Sequence, residues 1–346
     1  FPMPRTAHLI VCQHGLHGTE CDFDRVEAAL LPTAVWDTHD QTRAGVTACT
    51  TTPHLRLCVF RARVNTHRFS THEGIDTGGR LLADLTRTTC TAFFALDAPS
   101  KASEEEERRV SFIGHSLGGL YVRYAVRLLV PFFTVHGIRQ HAFISVASPH
   151  LGCSPEYHLH DFTGTTAVTR MLRGIYGKIL SSPRATGFFT SAWTSVTSRF
   201  LARTGRQLVL QDTAEDAAEE EEEGEGSKAG AGRCLLERMT ARPYIESLSR
   251  FQELVLVVNT DNDVQVPRYT ASISSLPVLR SSAQAVSTAG AVAPSQPARP
   301  TVSEPDMTAS RTGTIDCDTS HAAPPGPLAE DCVEAAGARA VPPDSG

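Results

Sequence analysis

The sequence predicts an α/β fold, a mostly parallel sheet covered by helices on both faces, and three observations carry that reading. The run Val110 to Val126 joins an apolar strand (Val110, Phe112, Ile113) to a helix in which Leu117, Leu120, Tyr124 and Leu128 recur at helical spacing, with Ser116 at the corner. Further short apolar runs, His8 to Gly18, Ala142 to Gly152 and Leu254 to Pro267, each read as a buried strand running into a loop marked by Gly, Pro or Asp. Such strands alternate with helical patterns, as a parallel sheet with crossover helices requires.

The elements follow in order. After the His8 to Gly18 strand and its glycine loop, Leu55 to Phe60 reads as a strand and Arg80 to Leu85 as a helix that starts behind Gly78 and Gly79. The helix after Ser116 places Arg123 and Arg127 on a face away from its apolar stripe. Beyond Gly152 a segment reaching Arg203 carries Phe162, Tyr176, Phe188, Phe189, Trp193 and Phe200 without a strand pattern. Two readings stand for it, a cap over the serine or aromatics packed into the core. Two acidic runs, Glu104 to Glu107 and Glu219 to Glu223, read as solvated insertions near 98–108 and 213–232. The domain is therefore expected over 1–275, with the cap at 153–203, followed over 276–346 by a low-complexity, disordered tail rich in Ala, Pro, Ser and Gly.

Bulk properties narrow the function classes. A chain of 346 residues with 41% hydrophobic content can bury a full core, and a net charge of −6 with no basic stripe argues against nucleic acid. Nine cysteines without a C-x-x-C pair or regular metal spacing read as mostly reduced thiols, predicting a cytoplasmic setting and no metal. No run of about 18 apolar residues is present to span a membrane. The chain opens on Phe1 and enters a strand almost at once, which reads as a domain of something longer.

The chemistry concentrates at Gly114-x-Ser116-x-Gly118. A serine hydroxyl is a poor nucleophile at neutral pH and needs exposure, a base and donors for the oxyanion that forms. A strand-to-helix corner supplies exposure, and the N–H of Leu117 lies at a helix N-terminus, where donors are unpaired and the dipole favours negative charge.

Six segments together resemble a family. HGLHG (His14 to Gly18), THEGIDTGGRL (Thr71 to Leu81), VSFIGHSLGGLYVRYAV, FISVASPHLG (Phe143 to Gly152), TGRQLVLQD (Thr204 to Asp212) and NDVQVPRYTASI (Asn262 to Ile273) are similar to the lipase-like serine esterase family (DUF676 type) of the α/β-hydrolases. The resemblance covers roughly residues 5 to 275. It implies an α/β-hydrolase fold and hydrolysis of lipid esters, acylglycerols or phospholipids, through an acyl-enzyme, without a cofactor. Ser116 matches the family nucleophile, and the loop after His14 and Gly15 matches the element giving the second oxyanion donor, here the N–H of Leu16. His14, His115 and His150 are expected to shape the pocket, and His17 to shape its loop. The spelling Asp-x-x-Val-Pro places the triad acid at Asp263, with Asp261 as runner-up and an Asx-type turn as the alternative role.

The base stays open. In this fold the order is Ser, Asp, His, and only His321 follows Asp263. It is the candidate within the chain, beside a histidine beyond Gly346 or a lost one. Asp76, Arg80 and Arg206 belong to matching motifs, and an ion pair or turn contact is expected of each. The expected partners are a lipid ester and, peripherally, a membrane or lipid-droplet surface. Two alternatives stand: a non-catalytic hydrolase-fold protein binding lipid or protein, and a thioesterase or acyl-protein esterase.

Overall fold

The computed structural model describes residues 5–31, 38–41, 45–67, 70–96, 106–153, 183–212, 233–260, 263 and 265–274. Seven strands form one sheet in the order β2-β3-β4-β1-β5-β6-β7. They are β1 (Thr6–Gln13), β2 (Thr38–Gln41), β3 (Gly45–Thr51), β4 (Leu55–Ala62), β5 (Glu107–His115), β6 (Arg139–Val146) and β7 (Glu253–Val257). β4, β1, β5, β6 and β7 pair in parallel, while β2 and β3 add antiparallel hairpin strands at one edge. The antiparallel strands escape the sequence reading, since GVTACTT has little apolar alternation to mark it.

Helices cover both faces. α1 (Asp24–Leu30) sits over Ile10, Cys12, Val59 and Ile113, while α2 (Ile75–Phe93) and α3 (Leu117–Val135) bury Leu9, Val11, Phe60, Val110 and Phe112 on the opposite side. α4 (Pro183–Phe200), α5 (Ala202–Leu208), α6 (Leu235–Arg238), α7 (Arg242–Leu248) and α8 (Arg268–Ala271) complete the described helices. This is a mostly parallel α/β architecture, as the sequence predicts. None of the described helices is long and apolar enough to cross a membrane.

Several expectations change. α2 starts at Ile75 rather than at Arg80, and Gly78 and Gly79 lie inside it. A methyl group at these positions would lie 2.5 Å from the Tyr121 ring and 2.6 Å from that of Tyr124, so these glycines let α2 and α3 touch. β7 is an edge strand rather than a buried one: Leu254 is 55% exposed and Val257 46%. The end of the first acidic run is not a solvated insertion, because Glu106 pairs with Arg56 and Glu107, the first residue of β5, with Arg109 and Arg139. Arg123 does not face solvent. It is buried and donates to the carbonyls of His150 (3.3 Å) and Met239 (2.8 Å).

The thiols also divide. Cys49 and Cys58 are disulfide-bonded, because β3 and β4 set them directly opposite each other, whereas Cys12, Cys90 and Cys234 are free thiols. Residues 154–182, the larger part of the expected cap, the tail from 275 and the acidic run at 213–232 lie outside the described residues.

Candidate active site

The chain runs from β1 to β4 on one side and then to β5 on the other, so the carboxyl ends of β1 and β5 flank a topological switch point. Gln13 and Gly114 are in register at that end, and the two loops leave side by side. Ser116 follows β5 with φ 53° and ψ −125°, a left-handed backbone that a non-glycine residue adopts only under constraint. The constraint is visible on both sides of it. The Ser116 N–H donates to Val146 O at 2.8 Å, and its carbonyl accepts from Gly119 N–H at 3.1 Å. Leu117 then opens α3.

Two glycines bring the β1 loop onto this corner. A β-carbon on Gly15 would stand 2.7 Å from Ser116 Cβ and 3.2 Å from its Oγ, and one on Gly118 would stand 2.2 Å from Gln13 O. The half-buried Ser116 side chain therefore faces the loop carrying Leu16, and the first-turn N–H of α3 lies at its other flank. His14 is fully buried with Nδ1 3.0 Å from Gly15 O, and burial lowers its pKa. His115 is exposed.

His150 stands in the loop after β6, almost wholly buried, with Nε2 2.7 Å from Ser145 Oγ. Burial, with the Arg123 charge adding, pushes it down to about 3, so it is a neutral imidazole at physiological pH. Its Nδ1 has no hydrogen-bond partner among the described residues. The pairing of His150 with Ser145 and the burial of Arg123 are features that sequence reasoning misses, because nothing local marks Arg123 as buried.

Asp263 lies beyond β7, on the same end of the sheet as Ser116. The ladder continues from Ser116 to Val146 and from Ala147 N–H to Val257 O (2.8 Å), so two strand steps separate the two loops. The Asp263 carboxylate accepts from Gln265 N–H (3.0 Å), Val266 N–H (2.8 Å) and Asn259 Nδ2 (2.7 Å). The first two bonds make the Asx-type turn weighed as its other role. Asp261 and His321 lie outside the described residues.

The motifs without an assigned role meet each other. Asp76 pairs with Arg203 and accepts from Gln207 Nε2 at 2.8 Å, while Gln207 Oε1 accepts from Ile75 N–H at 2.6 Å. Thr204 Oγ1 accepts from Gly74 N–H (3.0 Å) and donates to Thr71 O (2.7 Å). The THEGID and TGRQ segments thus form one latch at the start of α2. Asp76 therefore makes the ion pair expected of it, with Arg203.

Residues 3–171 match the model of the family described as "Putative serine esterase (DUF676)". This segment is similar to that serine esterase family. The chain is also 29% identical over 175 residues to "Putative lipase ROG1" of Saccharomyces cerevisiae, an alignment covering 49% of this chain and 18% of that protein. The chain therefore matches under a fifth of that relative's length. Among solved structures, it is similar to the peroxisomal α/β-hydrolase Lpx1 of Saccharomyces cerevisiae, with 16% identity, a TM-score of 0.27, and coverage of 45% of this chain and 40% of that one. A product of gene lin2722 from Listeria innocua aligns with 10% identity, a TM-score of 0.31, and coverage of 77% and 88%.

Proposed function

We propose that the chain is a serine hydrolase of lipid carboxylic esters, acting on acylglycerols or phospholipids. The observation that carries this reading is the constrained backbone of Ser116 between a β1 loop and the first turn of α3. Ser116 Oγ attacks the ester carbonyl while a histidine takes its proton. The N–H groups of Leu16 and Leu117 hold the oxyanion, and water then releases the acyl group. Asp263 orients the histidine, for which His321 is the candidate within this chain.

A left-handed serine at a strand-to-helix corner has no structural necessity, since glycine would adopt it without strain. Retaining a hydroxyl there supports a role for the hydroxyl itself. The match of residues 3–171 to the serine esterase family model supports the same reading. The lipid in the substrate rests on the resemblance and on the name of the yeast relative.

The test is covalent labelling of the purified chain with a fluorophosphonate probe, alongside hydrolysis of a p-nitrophenyl acyl series and an emulsified acylglycerol. Labelling at Ser116, its loss in Ser116→Ala, and at least a ~10³-fold fall in turnover support the proposal. A folded chain that neither labels nor hydrolyses any of these esters would falsify it and favour the non-catalytic alternative. Preference for thioesters at equal concentration would shift the substrate to the third reading.

A further inference from the structure

Helix α4 carries an apolar row that the proposed hydrolysis does not use. Phe188, Ala192, Val196 and Phe200 recur at every fourth position, the spacing that lines side chains along one side of a helix. All four are exposed, Phe188 by 78%, Val196 by 54% and Phe200 by 74%. Single exposed apolar residues are ordinary on a protein surface, whereas a continuous row of them marks a contact. We infer that this row docks the chain onto an anionic phospholipid surface.

The chemistry around the row selects that partner. It runs beside Ser191, Ser195 and Arg199, which are also exposed, so small hydroxyls and a guanidinium border the phenyl rings. From Pro183 to Leu208 the sequence holds four arginines, Arg184, Arg199, Arg203 and Arg206, and no Asp or Glu, in a chain of net charge −6. Arg203 is engaged by Asp76, and Arg199 forms no ion pair among the described residues. An anionic surface repels the chain as a whole and attracts it at an acid-free, arginine-bearing patch, so the charge fixes which side approaches. Phenyl rings then enter the boundary between headgroups and acyl chains, while the long arginine stem keeps its charge at the phosphates. A neutral lipid surface or an apolar protein groove would accept the rings but gain nothing from the arginine beside them.

The C-terminal end of α4 is anchored at the Ser116 end of the sheet. Leu201 N–H donates to Thr197 O at 3.0 Å, and a β-carbon on Gly205 would lie 2.2 Å from that same carbonyl, so α4 runs tightly into α5. Thr204 and Gln207 of α5 hold the segment that enters α2, and Leu208 O accepts Cys153 N–H at 2.7 Å in the loop after β6. Both anchors lie beyond the carboxyl ends of parallel strands, the end at which Ser116 leaves β5. Docking through α4 therefore keeps the proposed nucleophile within one helix length of the lipid. An already formed and anchored helix also loses little freedom on docking.

The test is flotation of the whole chain with large unilamellar vesicles of phosphatidylcholine alone, and of phosphatidylcholine with about 30 mol% phosphatidylserine. Binding to the anionic vesicles should be at least about fivefold stronger than to the neutral ones and should weaken as salt rises. The double variant Phe188→Ser, Phe200→Ser should weaken it at least about tenfold, and Arg199→Glu at least about fivefold. Val135→Ser, which removes an exposed apolar side chain at the C-terminal end of α3, should leave it unchanged. Absence of binding to the anionic vesicles, equal binding to both compositions, or unchanged binding by the folded double variant overturns the inference. So does a dimer in sedimentation that the double variant abolishes while vesicle binding persists, which would give the row to a second copy of the chain. Ser116→Ala should float as the unsubstituted chain does, because docking needs no turnover, and this separates the result from failure of the hydrolase reading.

Discussion

The two ends of the proposed triad are built by different physics. At Ser116, backbone packs on backbone: the β1 loop, the corner and the first turn of α3 approach so closely that Gly15 and Gly118 have no room for a methyl group. At Asp263, position comes from three hydrogen bonds at the end of an edge strand whose apolar side chains are 37–55% exposed. Close packing fixes a nucleophile to fractions of an ångström, because displacement meets hard repulsion on every side. Hydrogen bonds to a loop carboxylate fix direction well and tolerate replacement of surrounding side chains. The serine side is therefore sensitive to volume and the aspartate side to charge.

Asp263→Asn offers the largest contrast. Turnover should fall by about 10⁴-fold if Asp263 orients a histidine, while stability shifts by no more than about 1 kcal/mol. Unchanged turnover in the folded variant would assign Asp263 to the turn alone. Gly118→Ala should behave in the opposite way, because its methyl group would be driven against Gln13 O and His14 O. The denaturation midpoint should drop by the equivalent of about 3 kcal/mol, with probe labelling lost as the corner shifts.

Ser116→Gly sharpens the same comparison with a gain. Removing a side chain from φ 53° should stabilise the fold by about 1 kcal/mol or more in a urea melt, while abolishing labelling. A loss of stability would mean that the corner is relaxed rather than constrained.

A smaller effect is expected from pH. Burial and the Arg123 charge hold His150 at about 3 in the folded chain, whereas the unfolded chain takes up that proton near pH 6.5. The unfolded state binds more protons between those values. Stability is therefore full above about pH 6.5 and falls as pH drops toward 3, by at most about 1.4 kcal/mol per pH unit from this group. Burial also pushes His8 down, to about 4, with His141 and Arg109 adding, so it contributes in the same direction. His150→Gln should flatten the slope of urea stability against pH between 6.5 and 5, and an unchanged slope would remove His150 as its source. The smallest effect belongs to the β7 edge, where Val257→Thr should move stability by less than about 0.5 kcal/mol, since Val257 is already 46% exposed.

Much of the nucleophile side was legible in the sequence because its determinants are consecutive. Gly114, Ser116, Gly118 and the apolar periodicity of α3 sit within one stretch, and the β1 loop carries its own glycines. The latch and the buried arginine were not legible. Asp76 meets Arg203 and Gln207 across more than 120 positions, and Arg123 occupies a helical position whose burial depends on where α6 and α7 pack. Gly78 and Gly79 misled the reading of α2 for a related reason. Glycine lowers helix propensity locally, and here tertiary contact with Tyr121 and Tyr124 overrides that cost.

The sequence by itself determined the α/β class, the strand, serine and helix order at Ser116, and the set of candidate side chains, because periodicity and glycine placement act over a few residues. Only the tertiary structure decided which distant groups meet. It laid the β1 loop against Ser116, buried His150 on Ser145 and Arg123 under two carbonyls, left β7 at an edge, and set His17 against His72. Those outcomes depend on the strand order and helix packing that close the sheet, and neither is encoded in any single stretch of the chain.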